Sequence, residues 1–147
     1  KMFNTILLAY DGSDHAKNAL QSAAALVKTS GAKLHLVHTP QEDTPPIVIG
    51  SYVSLLETPP TKDQIIEAGA HIADKATAEA KDAGVEIAEI HLGAGGPAPY
   101  ILKVAEKIDA DLIVLGRRGL GSLGALTLGS VSQAVSHGAK CACLTIV

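Results

Sequence analysis

The sequence has few aromatic residues, few cysteines and no long apolar run. Four of its 147 residues are aromatic and none is tryptophan, which leaves little surface on which nucleic-acid bases could stack. The net charge of −3 also disfavours binding along a nucleic-acid backbone. No apolar run approaches the roughly 18 residues that a membrane-spanning helix needs, and no basic and apolar leader precedes the first strand-like segment. We expect a cytoplasmic protein that neither binds nucleic acid nor inserts into a membrane.

The two cysteines, Cys141 and Cys143, are separated by one residue. In an extended segment this spacing is too short for an easy disulfide, so the sequence indicates neither a disulfide framework nor an oxidising compartment. Buried free thiols are favoured over a redox pair, because Lys140 is the one basic neighbour that could lower a thiol pKa.

Apolar residues make up 47% of the chain and are mainly Ala, Leu, Ile and Val. The length fits one domain over residues 1–147. The apolar pattern predicts strands at residues 5–9, 33–38, 85–92, 112–115 and 143–147. It predicts helices at residues 15–30, 61–83 and 100–108, and a last helix that begins near Gly129. Because strands and helices alternate, we expect an α/β fold of parallel strands and right-handed crossovers, with helices on both faces of the sheet.

Proline marks the longest irregular segment. Five of the seven prolines lie between residues 40 and 60, which predicts a surface loop with little regular structure. A shorter turn rich in glycine and proline is predicted over residues 93–99.

The fourth predicted strand opens into a glycine-rich segment, residues 116–124, that contains both arginines of the chain. Glycines let backbone N–H groups approach a phosphate, and the N-terminus of the following helix favours anions. No Asp or Glu occurs from residue 112 to residue 147. The segment is neither a Walker loop, since no Gly-Lys-Ser/Thr ends it, nor the dinucleotide fingerprint, which follows a first strand. A phosphate cradle and a flexible connector are both consistent with this pattern.

Other polar residues have less specific patterns. Asp11 follows the first strand and is either a helix cap or a ligand contact. His38 is interpreted as a structural histidine, since no His, Cys or Asp set stands at metal spacing, and we expect no metal site. Asp109 and Asp111 precede the fourth strand and are expected to be solvated. No Gly-x-Ser-x-Gly elbow is present, and no catalytic residue is identified.

In several segments the chain resembles the universal stress protein family. Gly116, Gly119, Gly129 and Ser130 have the spacing of that family's Gly-x2-Gly-x9-Gly-Ser/Thr motif. Residues 6–13, 36–38 and 141–147 are similar to the family's first strand and acidic turn, second-strand end and last strand. The resemblance implies a Rossmann-like, five-stranded parallel sheet in the order 3-2-1-4-5. It also implies a homodimer, or a higher oligomer, through the last strand.

The resemblance further implies ATP, or AMP or ADP, as ligand, with Mg²⁺ or Mn²⁺. Asp11 would lie in the adenine and ribose pocket, Tyr10 would line it, and the backbone of Thr39 would face the adenine edge. The ribose and phosphate contacts implied are Gly116, Arg118, Gly119, Gly129, Ser130, Val131 and Ser132.

We therefore expect a regulatory module that senses nucleotide with little or no hydrolysis, since no base is identified in the cradle. One alternative is a slow ATPase or autophosphorylating enzyme in which Ser122, Thr127 or Ser130 accepts phosphate. The other is a nucleotide-free interaction module that docks a protein partner such as a transporter.

Overall fold

The computed structural model describes residues 2–39, 48–49, 52–53, 62–93, 95–117 and 129–147. Within these ranges the elements follow in the order β1 (Thr5–Ala9), α1 (Asp14–Ser30), β2 (Lys33–His38), β3 (Val48–Ile49), β4 (Tyr52–Val53), α2 (Lys62–Asp82), β5 (Ile87–Leu92), α3 (Pro97–Lys107), β6 (Leu112–Gly116), α4 (Ser130–Gly138) and β7 (Ala142–Ile146). None of the described helices combines the length and apolarity needed to cross a bilayer.

Five of the strands form one parallel sheet in the order β5-β2-β1-β6-β7. Counted along the chain, these five strands have the order 3-2-1-4-5, so the predicted topology is confirmed. β1 lies at the centre, where Ile6 pairs with Leu34 of β2 on one side and with Leu112 of β6 on the other.

Two apolar clusters, one on each face of the sheet, form the core. Alternate residues of β1 face opposite ways, so that Ile6 and Leu8 belong to one cluster and Leu7 to the other. The first cluster includes buried residues of α1 and α2, and the second includes buried residues of α3 and α4. The expected helices on both faces of the sheet are therefore confirmed.

Within the proline-rich segment, where little regular structure is expected, four of the described residues form two short strands. Val48–Ile49 and Tyr52–Val53 pair as antiparallel strands, with Ile49 opposite Tyr52. β-Branched and aromatic residues favour extended backbone, which accounts for this pairing. The remainder of residues 40–61 lies outside the described ranges.

Helix α3 begins three residues before the predicted position. Pro97 occupies the first turn, where its missing N–H has no helical acceptor to lose. The predicted turn over residues 93–99 therefore extends too far, because residues 97–99 belong to α3.

The expectation of a solvated Asp111 is also wrong. Its carboxylate accepts the backbone N–H of Asn4 at 2.8 Å and that of Thr5 at 3.3 Å. This half-buried side chain ties the start of β1 to the start of β6. Asp109 is exposed, as expected.

Candidate functional site

The candidate site lies where the strand order of the sheet reverses. From β1 the chain passes through α1 to β2 on one side, whereas from β6 it passes through α4 to β7 on the other. Such a reversal leaves a crevice beyond the carboxyl ends of the two central strands. The residues that follow β1 and β6 therefore border this crevice.

The turn after β1 is fixed by side chains close in sequence. Asp11 Oδ1 accepts the backbone N–H of Ser13 at 2.9 Å, and Ser13 Oγ accepts the N–H of Ala16 at 3.1 Å. Ser13, not Asp11, is thus the residue that caps α1. Between them Gly12 has φ +81°, a left-handed conformation that glycine adopts without strain.

Helix α2 packs over the same turn. Lys75 Nζ donates to the carbonyl of Gly12 at 2.9 Å, and a Cβ on Gly12 would lie 2.9 Å from Cδ1 of Ile72. The turn after β1 is therefore held by contacts from α2 as well as by its own hydrogen bonds.

The side chain of Tyr10 is buried in the first core cluster. Its hydroxyl donates to Glu79 Oε2 at 2.9 Å, and burial, followed by this hydrogen bond, raises the pKa of Tyr10. The structure thus places the ring between the sheet and α2, so the part of Tyr10 that borders the crevice is its backbone. Its role in lining a nucleotide pocket stays a prediction.

The end of β2 is joined to the end of β1 by a buried histidine. His38 Nδ1 lies 2.7 Å from the carbonyl oxygen of Tyr10, and because a carbonyl only accepts, Nδ1 carries the proton. Burial lowers the pKa of His38 despite the opposing effect of this hydrogen bond. The structure gives His38 the structural role expected of it, and buried Thr39 follows it at the same sheet edge.

Gly116 ends β6 where the first turn of α1 passes close to it. A Cβ at Gly116 would lie 2.8 Å from Cβ of His15 and 2.9 Å from its carbonyl carbon. A real Cβ does not approach other carbon atoms this closely, so α1 and β6 can pack at this distance only because residue 116 is glycine. This requirement comes from packing and adds to the ligand contact that the resemblance implies.

The start of α4 is attached to the end of β6. The N–H of Gly129 donates to the carbonyl of Arg117 at 2.8 Å. The buried hydroxyl of Ser132 lies 2.7 Å from the carbonyl oxygen of Gly116 and 3.0 Å from that of Arg117, and donates to them. Arg117 and Gly129, the described residues on either side of 118–128, are therefore neighbours in space. Residues 118–128, among them the predicted Arg118 and Gly119, lie outside the described ranges.

The first turn of α4 has backbone donors without helical acceptors. Gly129 is the N-cap and has no side chain to cap the helix. The first intrahelical bond runs from Gln133 N–H to the carbonyl of Gly129, so the amides of Ser130, Val131 and Ser132 precede the regular ladder. The first turn contains no acidic residue, and Ser130 is exposed. These amides and the positive end of the helix dipole can bind an anion such as phosphate.

Elsewhere, on β2 and β5, the structure brings together three potential metal ligands that the sequence analysis missed. Ligand atoms of His35, Glu89 and His91 all lie within 4.8 Å of one another. Burial, followed by the neighbouring His91, lowers the pKa of His35. This set was missed in the sequence analysis because only spacing along the chain was considered. The alternation of Glu89 and His91 on one predicted strand, next to His35 on another, was the available signal.

The fold defines a Rossmann-like α/β protein in which the N-terminus of a helix begins at the switch point of the sheet. Comparison with known proteins specifies the family: the universal stress protein family matches residues 2–146. The chain belongs to the universal stress protein family.

Similarity to individual members extends over nearly the whole chain. A universal stress protein from Thermus aquaticus is 42% identical over 146 residues, which cover 99% of each chain. A universal stress protein solved in complex with cAMP is 26% identical, with a TM-score of 0.73 over 100% of this chain and 99% of the other. One from Lactobacillus plantarum, 23% identical, shows the same fold with a TM-score of 0.78 over 98% of this chain and 97% of the other.

Proposed function

We propose that this chain binds an adenine nucleotide at the carboxyl edge of its sheet and acts as a regulatory module that senses it. The observation that carries the proposal is the uncapped N-terminus of α4, which begins beside the end of β6 at the switch point. An anion is the ligand that such a terminus favours, and the solved relative in complex with cAMP supports an adenine nucleotide as its source. ATP, or ADP or AMP, is the nucleotide that we propose.

The proposed contacts follow from where each residue lies. At the adenine and ribose end they are Asp11, Thr39 and the backbone of Tyr10. At the phosphate end they are Gly116, Arg118, Gly119, Gly129, Ser130, Val131 and Ser132. Because Ser132 Oγ donates to two backbone carbonyls, its contribution to the ligand would come from its amide. The family match over residues 2–146 supports treating residues 1–147 as one nucleotide-binding domain.

The phosphate end would also suit a divalent cation. Mg²⁺ or Mn²⁺ prefers oxygen ligands, and the half-buried carboxylate of Asp11 lies at the same edge. The cation would neutralise and bridge phosphate oxygens. The protein's own part is to position the phosphates through main-chain N–H groups.

We propose binding with little or no hydrolysis, because main-chain amides orient a phosphate without taking up or releasing a proton. Steady release of phosphate above that of a nucleotide-free variant would favour the enzyme alternative, and purified protein that neither contains nor binds nucleotide would favour a pure docking module.

We further propose that two copies pair through the free edge of β7 as a homodimer, which a higher oligomer or a regulated protein partner could extend. β7 is the last strand of the sheet, and its sequence, Ala142–Ile146, carries no charge. Exposed apolar edges tend to pair with another strand. The free thiols of Cys141 and Cys143 fit the reducing cytoplasm that we propose as its location.

One substitution separates nucleotide binding from stability. Ser130→Asp places a negative charge in the first turn of α4, where the helix dipole favours it by about 0.3 to 1 kcal/mol but where phosphate would be repelled. We expect calorimetry to show at least a tenfold loss of Mg-ATP affinity, a smaller loss for adenosine, and unchanged or increased thermal stability. Ser136→Asp, an exposed position later in the same helix, is the charge-matched control. Equal ATP affinity in both variants would contradict the proposed phosphate site.

A further inference from the structure

We propose that His35, Glu89 and His91 form a binding site for a divalent transition metal ion. Zn²⁺ is the ion that we expect to bind. The site lies on β2 and the neighbouring edge strand β5, and the proposal does not depend on nucleotide binding.

The two histidines already have the separation that a metal requires. His35 Nδ1 and His91 Nε2 are 3.2 Å apart. Two nitrogens at about 2.0 to 2.1 Å from a tetrahedral Zn²⁺ lie about 3.3 Å apart, so an ion fits between them with little movement. His91 is buried and His35 is partly buried, with side-chain exposures of 6% and 13%, which limits the movement of the facing nitrogens.

Glu89 supplies the third ligand from the solvent side. Its Oε2 lies 3.8 Å from His91 Nε2 and 4.0 Å from His35 Nδ1, slightly too far for a tetrahedral edge. The side chain is 61% exposed, so it can rotate inward by the few tenths of an ångström needed. Two histidines, one carboxylate and a position left for water are a recurring ligand set for zinc and related ions.

A bulge in the sheet creates this arrangement. The pairing of β2 with β5 shifts register between Leu34 and His35, so that Leu34 faces Ile87 and His35 faces Glu89. As a result Ile87 and Ile90 both pack on the first core cluster, while Glu89 and His91 share the opposite face with His35. Without the extra residue, Glu89 would point to the other face of the sheet.

In the absence of metal, one ring donates a hydrogen bond to the other. Binding replaces that proton: the donating ring moves its proton from the facing nitrogen to its other nitrogen, and both facing nitrogens then offer a lone pair. The same ion would connect β2 to the edge strand β5 and so stabilise that edge.

The test is titration of Zn²⁺ alone into protein without an affinity tag and treated with chelator. We expect one ion per chain and a rise in thermal midpoint. His35→Gln or His91→Gln should weaken binding by more than about 100-fold, since even outer-shell partners contribute about 10- to 100-fold. Glu89→Gln, an exposed change that leaves the fold intact, should weaken it by about tenfold. The exposed histidine of α2, changed as His71→Gln, is the matched control and should bind as wild type does.

A Cys141→Ser/Cys143→Ser variant distinguishes the thiols as the alternative ligands. Retained Zn²⁺ binding in this variant, together with a Co²⁺ spectrum without thiolate charge transfer, supports the site. The proposal is overturned by wild-type protein that binds no Zn²⁺, by wild-type affinity in the Glu89→Gln variant and in the histidine variants that fold, or by binding that disappears with the cysteines.

Discussion

The hydroxyl of Ser132 and the carbonyl oxygen of Gly116, 16 residues apart in sequence, lie 2.7 Å from each other. The same hydroxyl is 3.0 Å from the carbonyl oxygen of Arg117. The first turn of α4 is therefore attached to the end of β6 by a buried side chain, in addition to the backbone bond from Gly129 to Arg117.

Replacing that side chain should destabilise the fold and weaken the proposed phosphate site together. Ser132→Ala removes the side-chain donor of the Gly116 carbonyl, while the carbonyl of Arg117 keeps the N–H of Gly129, and we expect the free energy of unfolding to fall by about 1 to 3 kcal/mol. Urea unfolding measures this change. Ser136→Ala, in an exposed part of the same helix, should stay within about 0.5 kcal/mol of wild type. Equal stability of both variants would show that the bond contributes nothing.

A methyl group at Gly116 should separate α1 from β6. It would lie 2.8 Å from Cβ of His15 and 2.9 Å from the His15 carbonyl carbon, and backbone atoms cannot rotate out of the way. We expect Gly116→Ala to lower the free energy of unfolding by about 1 to 3 kcal/mol. The control is Gly96→Ser, where the nearest atom to the new Cβ is 3.5 Å away and where serine can cap α3. That variant should unfold at or above the wild-type denaturant midpoint.

Removing the Tyr10 hydroxyl should affect stability but not ligand binding. The hydroxyl donates to Glu79 of α2 at 2.9 Å. We expect Tyr10→Phe to cost about 0.5 to 1.5 kcal/mol of unfolding free energy and to leave ATP affinity within twofold of wild type. A large loss of affinity at unchanged stability would instead show that the hydroxyl contacts the nucleotide.

The positions of the strands and helices were predictable because buried strands are short apolar runs and turn residues end the elements, whereas the order of the strands in the sheet was implied by the resemblance to the universal stress protein family. Gly31, for example, ends α1 in the left-handed conformation with φ +72°, as the sequence suggests. The start of α4 at Gly129-Ser130 was predictable for the same reason, since Gly and Ser favour the beginning of a helix.

What could not be predicted depends on contacts between distant segments. Glu79 is 69 residues from Tyr10, and the need for glycine at residue 116 arises from His15 of another element. The three potential metal ligands meet only because a register shift turns Glu89 toward His35. Apolar periodicity specifies which face of a strand is buried, but it does not locate a bulge.

Acid should destabilise the protein through His38. Burial lowers its pKa in the folded state, whereas in the unfolded chain the ring has a pKa near 6.5. Below that pH the unfolded chain binds a proton at His38 that the folded chain does not bind. The contribution of His38 to the free energy of unfolding is therefore complete above a pH of about 6.5 and decreases as the pH falls. The decrease is at most about 1.4 kcal/mol per pH unit for this one group.

The measurement is urea unfolding at several pH values from neutral to mildly acidic. In His38→Asn the amide nitrogen can still donate to the carbonyl of Tyr10, but no proton is taken up. We expect this variant to lose less stability on acidification than wild type. Part of the slope should remain, because the pKa of His35 is lowered in the same direction. Parallel curves for the two proteins would contradict a neutral, buried His38.

The proposed dimer can be tested at single backbone donors of β7. Arg117 N–H donates to the carbonyl of Ile146, so the backbone of Ile146 faces β6 and, by alternation, that of Thr145 faces the free edge. Thr145→Pro removes an N–H that points away from β6, the strand that pairs with β7 among the described residues, a change that edge strands tolerate. We expect sedimentation at micromolar concentration to show a dimer for wild type and for the control Thr145→Val, and a monomer for Thr145→Pro. A wild-type monomer would refute pairing through β7. A dimer of the Thr145→Pro variant would show that the interface lies on another surface.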